Sequence, residues 1–430
     1  MAQLVQRYLD DIVAEYAPIT DGALADYIPE LTEADPTSFG LTLSASDGYL
    51  YQAGDAGTEF TIQSISKPFT YALALELAGQ QAVDTKIGVE PSGDAFNEIS
   101  VDEKTKTPKN AMINAGAIAA VSLIPGATPD ERFARIQDFY SACAGRPLEL
   151  DEAVYRSEKA TGNRNRAIAY MLTSFGVLED DPDEVLDVYF RQCSLRVTSV
   201  DLARMAATLA RGGVNPQTGR RVADSKVVQR TLSVMVTCGM YNGAGDWVSA
   251  VGMPAKSGVG GGILAVLPGQ LGIGVYSPLL DGRGNSLRGV LVCRALSDRL
   301  GLHFLNVSRE SRSTIRAIYE ASPGIRVYEM HGDLMFAGAE RVLRSVDRES
   351  GDFSVGILDV TRVDTINDSA RALLAGMSAT LRAAGKLGLL VDPDAAVILP
   401  GRGYDDVAFT DLDSALGAAE KWLQTDRCAQ

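Results

Sequence analysis

Two turn signals at opposite ends of the first 300 residues constrain this fold most. Asp47-Gly48 separates Leu41 and Leu43, which alternate with polar neighbours, from Tyr49 and Tyr51, which begin the return strand, and this predicts a β-hairpin. Pro268-Gly269 separates the apolar runs 262–267 and 271–276, which predicts a second hairpin. From about 108 to 240 the pattern is helical, with segments at 111–124, 130–144, 164–175, 183–190 and 199–210. Further helices are predicted at 3–16 and 285–302. Strands at both ends with helices between them predict one antiparallel sheet beside a helical cluster, an α+β arrangement.

The chain has 430 residues and 46% hydrophobic content, too much for one ordinary core, so two domains are expected. Composition shifts near 308, where Ser308-Arg309-Glu310-Ser311-Arg312-Ser313 is charged and polar and Ser322-Pro323-Gly324 breaks the chain. The expected division is a first domain over 1–308, a linker over 309–324 and a second domain over 325–430. In the second, strands are predicted at 325–328, 355–360, 387–391 and 396–399, and helices at 369–384 and 411–423. That alternation predicts a small α/β domain.

Charge and composition narrow the chemistry. A net charge of −15 argues against a nucleic-acid partner. The only 2 histidines are His303, in an apolar setting, and His331, in the expected second domain. A Ser-His-Asp triad and a histidine-based zinc site therefore lack candidates. The 5 cysteines (Cys143, Cys193, Cys238, Cys293 and Cys428) are odd in number and widely spaced, as in a protein of a reducing compartment. No signal peptide or membrane-spanning stretch is legible, so the expectation is a cytoplasmic protein with no membrane partner.

Ser64 and Lys67 carry the chemical signal. They sit in Gln63-Ser64-Ile65-Ser66-Lys67-Pro68, where an apolar run turns into a helix. Residues three apart share a helix face, so the Lys67 amine can lie beside the Ser64 hydroxyl and take its proton. Alone, a Ser-x-x-Lys is common by chance. Here Lys256-Ser257-Gly258 follows far downstream, completing the motif set of serine hydrolases of the β-lactamase and penicillin-binding type.

Longer segments make the match more specific. They are Asp26-Tyr27-Ile28-Pro29-Glu30-Leu31, Glu90-Pro91-Ser92-Gly93, Asn114-Ala115-Gly116-Ala117-Ile118, Ser157-Glu158 with Asn163-Arg164-Asn165, Cys238-Gly239-Met240-Tyr241, and the glycine-rich run 256–262. With these, positions from about 20 to 305 resemble the serine-dependent glutaminases, which are β-lactamase-like in fold. The resemblance implies that L-glutamine is hydrolysed to L-glutamate and ammonia through a glutamyl-serine intermediate. It implies Ser64 as nucleophile and Lys67 as base. Lys67 must then be partly neutral, through burial or a nearby cation such as Lys256. Tyr241 would pass a proton to the leaving ammonia, and the backbone N–H groups of Ser64 and Val259 would hold the oxyanion. Glu158 would take the α-ammonium, with Tyr27, Gln63, Asn114, Asn165 and Tyr189 as polar partners of the amino acid. Each has a plain structural alternative: Glu158 pairing with Arg156, Asn114 capping a helix, Tyr189 in the core. The family resemblance also implies no metal or organic cofactor, and a homo-oligomer, dimer or tetramer.

The second domain resembles a STAS domain. The residues that carry this are His331-Gly332-Asp333-Leu334-Met335-Phe336, Gly356-Ile357-Leu358-Asp359-Val360 and Val363-Asp364-Thr365-Ile366-Asn367-Asp368-Ser369. The resemblance implies Ser369 as a phosphoacceptor at a helix N-terminus, where phosphate is favoured, and a protein or nucleotide partner. The alternative for Ser369 is a helix N-cap. Two rival functions follow from the same residues. One is a β-lactamase or transpeptidase. The other is a non-catalytic signalling or binding protein built on the second domain.

Overall fold

The two predicted hairpins meet in one sheet. In the computed structural model, which describes residues 2–92, 101–102, 104–306, 314–395, 397 and 407–427, the first strands are β1 (Gly40–Ala45), β2 (Leu50–Gly54), β3 (Phe60–Thr61), β4 (Arg196–Val197), β5 (Ala255–Gly258), β6 (Gly262–Leu267) and β7 (Leu271–Tyr276). The main sheet has the order β2-β1-β7-β6-β5. Leu43 of β1 lies opposite Tyr51 of β2 on one side and Ile273 of β7 on the other. All neighbours are antiparallel. The sheet therefore closes only when the two ends of this unit come together, the arrangement the turn chemistry predicts.

The chain divides into two compact units, Leu9–Ser297 and one joining Met1–Tyr8 to Asp298–Gln430. In the first, helices Lys67–Ala78, Asn114–Ser122, Pro129–Ala144, Pro182–Cys193 and Ser199–Ala210 share one apolar core. The helix Ser199–Ala210 lies on β1, β6 and β7. It begins with a reciprocal cap between Thr198 and Asp201 that satisfies two otherwise orphaned donors. Helices Glu152–Thr161 and Ser225–Cys238, which the periodicity reading passes over, bring Glu158 and the approach to Tyr241.

The second unit has a sheet of order β12-β11-β10-β9-β8, with β8 (Ile315–Ser322), β9 (Ile325–Leu334), β10 (Val355–Ile366), β11 (Leu387–Val391) and β12 (Ala408–Phe409). β8 is antiparallel to β9, and the other described pairs are parallel. Helices Phe336–Arg348, Asp368–Ala383 and Leu412–Arg427 accompany it.

Several expectations change here. Much of the expected linker 309–324 is strand β8. Ser322-Pro323-Gly324 is the turn between β8 and β9, and Gly324 takes φ 84°. The same breakers that suggested a linker are hairpin chemistry. The boundary between units falls inside the helix Leu287–Leu300, not near 308. β9 and β10 run to Leu334 and Ile366, so the His331 and Val363 segments begin in strands and end at the starts of the helices Phe336–Arg348 and Asp368–Ala383. Most of the strand expected at 396–399 lies outside the described residues, as do Gly93, Cys428 and residues 307–313. Among the described residues no helix is long and apolar enough to cross a membrane.

Candidate active site

Strand β3 leads into Ser64. Its partner β4 sets Phe60 opposite Val197, and Ile62 N–H donates to Leu195 O at 2.8 Å. Gln63 then takes φ 49°, in the left-handed region. That conformation costs a non-glycine residue about 1–2 kcal/mol, and such strain clusters at functional sites. A 3-10 turn follows over Gln63–Ser66 and passes directly into the α-helix Lys67–Ala78, with Pro68 in its first turn, where it is tolerated. Ser64 is 7% exposed and Lys67 is fully buried.

The Lys67 amine donates to Asn114 Oδ1 at 2.6 Å, and Asn114 Nδ2 donates to Asn165 Oδ1 at 2.9 Å. Asn114 does not cap its helix, because Ile113 holds that position, so its side chain is available to the site. Burial pushes the Lys67 amine down to about 8, against a smaller opposing effect of Cys193. Burial, and then the charge of Lys67, push Lys256 well below the ordinary lysine value. Burial is thus the cause at Lys67, and Lys256 is the amine that feels its neighbour.

Tyr241 sits at φ 54°, a second strained residue. Its hydroxyl donates to Ser257 O at 3.1 Å and lies within hydrogen-bond reach of Ser64. Burial raises its hydroxyl above the ordinary tyrosine value. Val259 follows β5 in a turn closed by Gly261 N–H to Gly258 O at 3.0 Å. The glycines here permit close backbone approach: a Cβ on Gly260 would come within 2.7 Å of Thr61 O. The Val259 backbone is thereby held close to the Ser64 turn.

A cavity of about 370 Å³ is lined by Tyr27, Gln63, Ser64, Asn114, Glu158, Asn165, Tyr189 and Val259, with Thr161, Gly162, Arg164 and Cys193. The sequence expectation thus gathers into one space, with Lys67 behind Asn114 and Tyr241 beside Ser64. Glu158 is 6% exposed and accepts from the Tyr27 hydroxyl at 2.7 Å. The Tyr27 hydroxyl also lies 3.0 Å from Gln63 Oε1, an alternative acceptor for its single proton. Burial raises the Glu158 carboxyl, opposed by hydrogen bonds from Tyr27 and Gln63. Among the described residues no cation pairs with Glu158, and Arg156 pairs instead with Glu152 at 3.8 Å. Tyr189 is 4% exposed and faces the cavity, so it is both core and wall.

Sequence reasoning passed over Cys193, Thr161 and Arg164. Arg164 stood inside a quoted motif, but Cys193 carried no sequence signal beyond its neighbourhood to Tyr189. Ser369 lies in the second unit, 5% exposed. Its hydroxyl donates to Leu300 O at 2.7 Å, and the N-cap of its helix is Asn367, which accepts from Ala370 N. Neither an N-cap role nor a free hydroxyl describes it. Among the described residues no group of three or more His, Cys, Asp or Glu could hold a metal.

Residues 22–305 match the family described as Glutaminase. Glutaminase 2 of Bradyrhizobium diazoefficiens is 48% identical over 390 residues, which are 86% of this chain. The chain spans only 62% of that relative's length. The glutaminase of Corynebacterium glutamicum is 42% identical over 404 residues, covering 94% of this chain and 97% of its own. The solved structure of Mglu in its glutamate form is 41% identical, with a TM-score of 0.70, covering 91% of this chain and 98% of that one.

Proposed function

The chain belongs to the glutaminase family, and from that premise we propose that it hydrolyses L-glutamine to L-glutamate and ammonia through an ester on Ser64. The observation that carries this reading is Glu158. A buried carboxylate with no cation among the described residues, in the cavity that holds Ser64, suits a substrate that brings its own ammonium. The bicyclic β-lactam nucleus itself carries a carboxylate and no ammonium, so it does not answer Glu158 in this way. The resemblance of Mglu, solved with glutamate, points the same way.

In acylation, the Ser64 Oγ attacks the side-chain amide carbon and its proton passes to the neutral Lys67 amine. The backbone N–H groups of Ser64 and Val259 stabilise the oxyanion. Collapse breaks the C–N bond while the proton held by Lys67 moves through Tyr241 to the leaving nitrogen, releasing ammonia and returning Lys67 to its neutral form. Water then attacks the ester, gives up its proton to the same base, and the Ser64 hydroxyl is restored as glutamate leaves. Asn114 and Asn165, Tyr27 and Gln63, and Tyr189 supply polar contacts around the amino acid.

The second unit fits the proposed STAS-like arrangement in its mostly parallel sheet and its helix starting at Asp368. Its ligand would be a protein or a nucleotide, and Ser369 could serve as phosphoacceptor only after breaking its bond to Leu300. Cys143, Cys193, Cys238 and Cys293 are free and buried, in keeping with a cytoplasmic setting. Assembly as a dimer or tetramer is part of the proposal and is read by sedimentation.

The decisive experiment measures ammonia release from L-glutamine by wild type and Ser64→Ala. Loss of release with Ser64 supports the reading. Equal rates from a verified Ser64→Ala preparation would sink it, and an inactive, well-folded wild type would transfer the proposal to another amide.

A further inference from the structure

Lys256 is a buried amine with no step of its own in acylation or deacylation. It is 0% exposed and lies on β5, directly before Ser257. Its Nζ donates to Ser257 O at 2.7 Å and stands 4.1 Å from the centroid of the Tyr241 ring. The Tyr241 hydroxyl donates to the same carbonyl at 3.1 Å. Amine, ring and carbonyl thus form a closed triangle. A carbonyl oxygen has two lone pairs and can take both donors. An amine over a ring face is attracted whether or not it is charged.

Two further features make that triangle necessary. Tyr241 takes φ 54°, which an aromatic side chain adopts only when its surroundings impose it. The helix Ser225–Cys238 also ends in backbone contact with β5, where a Cβ on Gly239 would come within 1.8 Å of Ala255 O. That contact brings residue 241 next to residue 256, and the amine over the ring adds to the hydroxyl's own bond to Ser257 O in setting where the hydroxyl lies near Ser64.

We propose that Lys256 is a positioning residue: it holds the Tyr241 ring so that its hydroxyl stays at Ser64, acting through the ring and the shared Ser257 carbonyl and never on the substrate. This rests on Tyr241 acting at Ser64 as proposed above.

The test is a double-mutant cycle with Lys256→Met, which fills similar volume without a donor. For L-glutamine, kcat should fall at least about tenfold while KM stays within about threefold. The pair Lys256→Met with Tyr241→Phe should be no slower than Tyr241→Phe alone, within about threefold, because the amine serves only the hydroxyl. Fully additive losses overturn the proposal. If Lys256→Met folds poorly, Lys256→Ala with added ethylamine takes its place. Amine should recover activity there and not in the variant that also carries Tyr241→Phe, and recovery in both overturns the proposal. A crystal structure of Lys256→Met keeps this inference separate from the glutaminase reading. The Tyr241 ring should move by more than about 1 Å, beyond the tolerance of a productive site. A ring that stays in place overturns the proposal whatever the enzyme turns over.

Discussion

Lys67 and Asn114 are joined at 2.6 Å, with the amine donating to the amide oxygen. The oxygen is neutral, so it orients the lysine without charging it. A carboxylate in the same place would stabilise the ammonium form and disable the proposed base.

That contrast sets the pH dependence. A base at about 8 is mostly protonated below that value, so kcat/KM of the wild type should rise through an acid limb with its midpoint near 8. Asn114→Asp should move that limb up by about one unit or more, since an adjacent anion favours the charged lysine. Rates measured from acid to alkaline pH check both. An unshifted limb in Asn114→Asp would mean that another group controls it.

Lys67 also costs the fold something. Its folded value lies below its unfolded value, so the unfolded chain binds more protons between about 8 and 10.5 and stability rises with pH across that window. Lys67→Met removes this cost and one hydrogen bond. It should be inactive yet more stable by about 1–2 kcal/mol at neutral pH, as read by chemical denaturation. A variant less stable than wild type would contradict the cost assigned to burying this amine.

Glu158→Gln separates binding from chemistry. It removes the charge and keeps the acceptor for Tyr27. The expected loss is on the order of 100-fold in kcat/KM, mostly through KM, with no loss of thermal stability because a buried carboxylate has gone. Steady-state kinetics and a melting curve suffice. Wild-type KM in this variant would remove the ammonium from Glu158.

A chain of residues 9–306 should melt cooperatively and keep kcat within about threefold, because the described catalytic core belongs to one compact unit. An insoluble or inactive truncation would assign the second unit an essential part in the first.

Much of this was legible in the sequence, and unevenly so. The β6 and β7 bounds follow from Pro268-Gly269 and two apolar runs, because turn chemistry acts over a few residues. Ser64 and Lys67 were legible because their spacing is local. Tyr241 and Glu158 needed the family resemblance, since pairings across long separations leave no periodic trace. The amine of Lys256 over the Tyr241 ring had no trace at all. β8 was misread because Ser322-Pro323-Gly324 marks a hairpin and a linker equally well. The helix Phe336–Arg348 was not among the expected elements.

Gln63 has a consequence for anyone who would evolve this protein. Its φ of 49° suits glycine or asparagine better than glutamine. Selection for heat tolerance alone would find that position early and relax it, gaining stability while giving up the Gln63 side chain that meets Tyr27. A robust catalyst would have to be bred by screening survival and turnover together, with its improvements drawn from residues remote from the nucleophile.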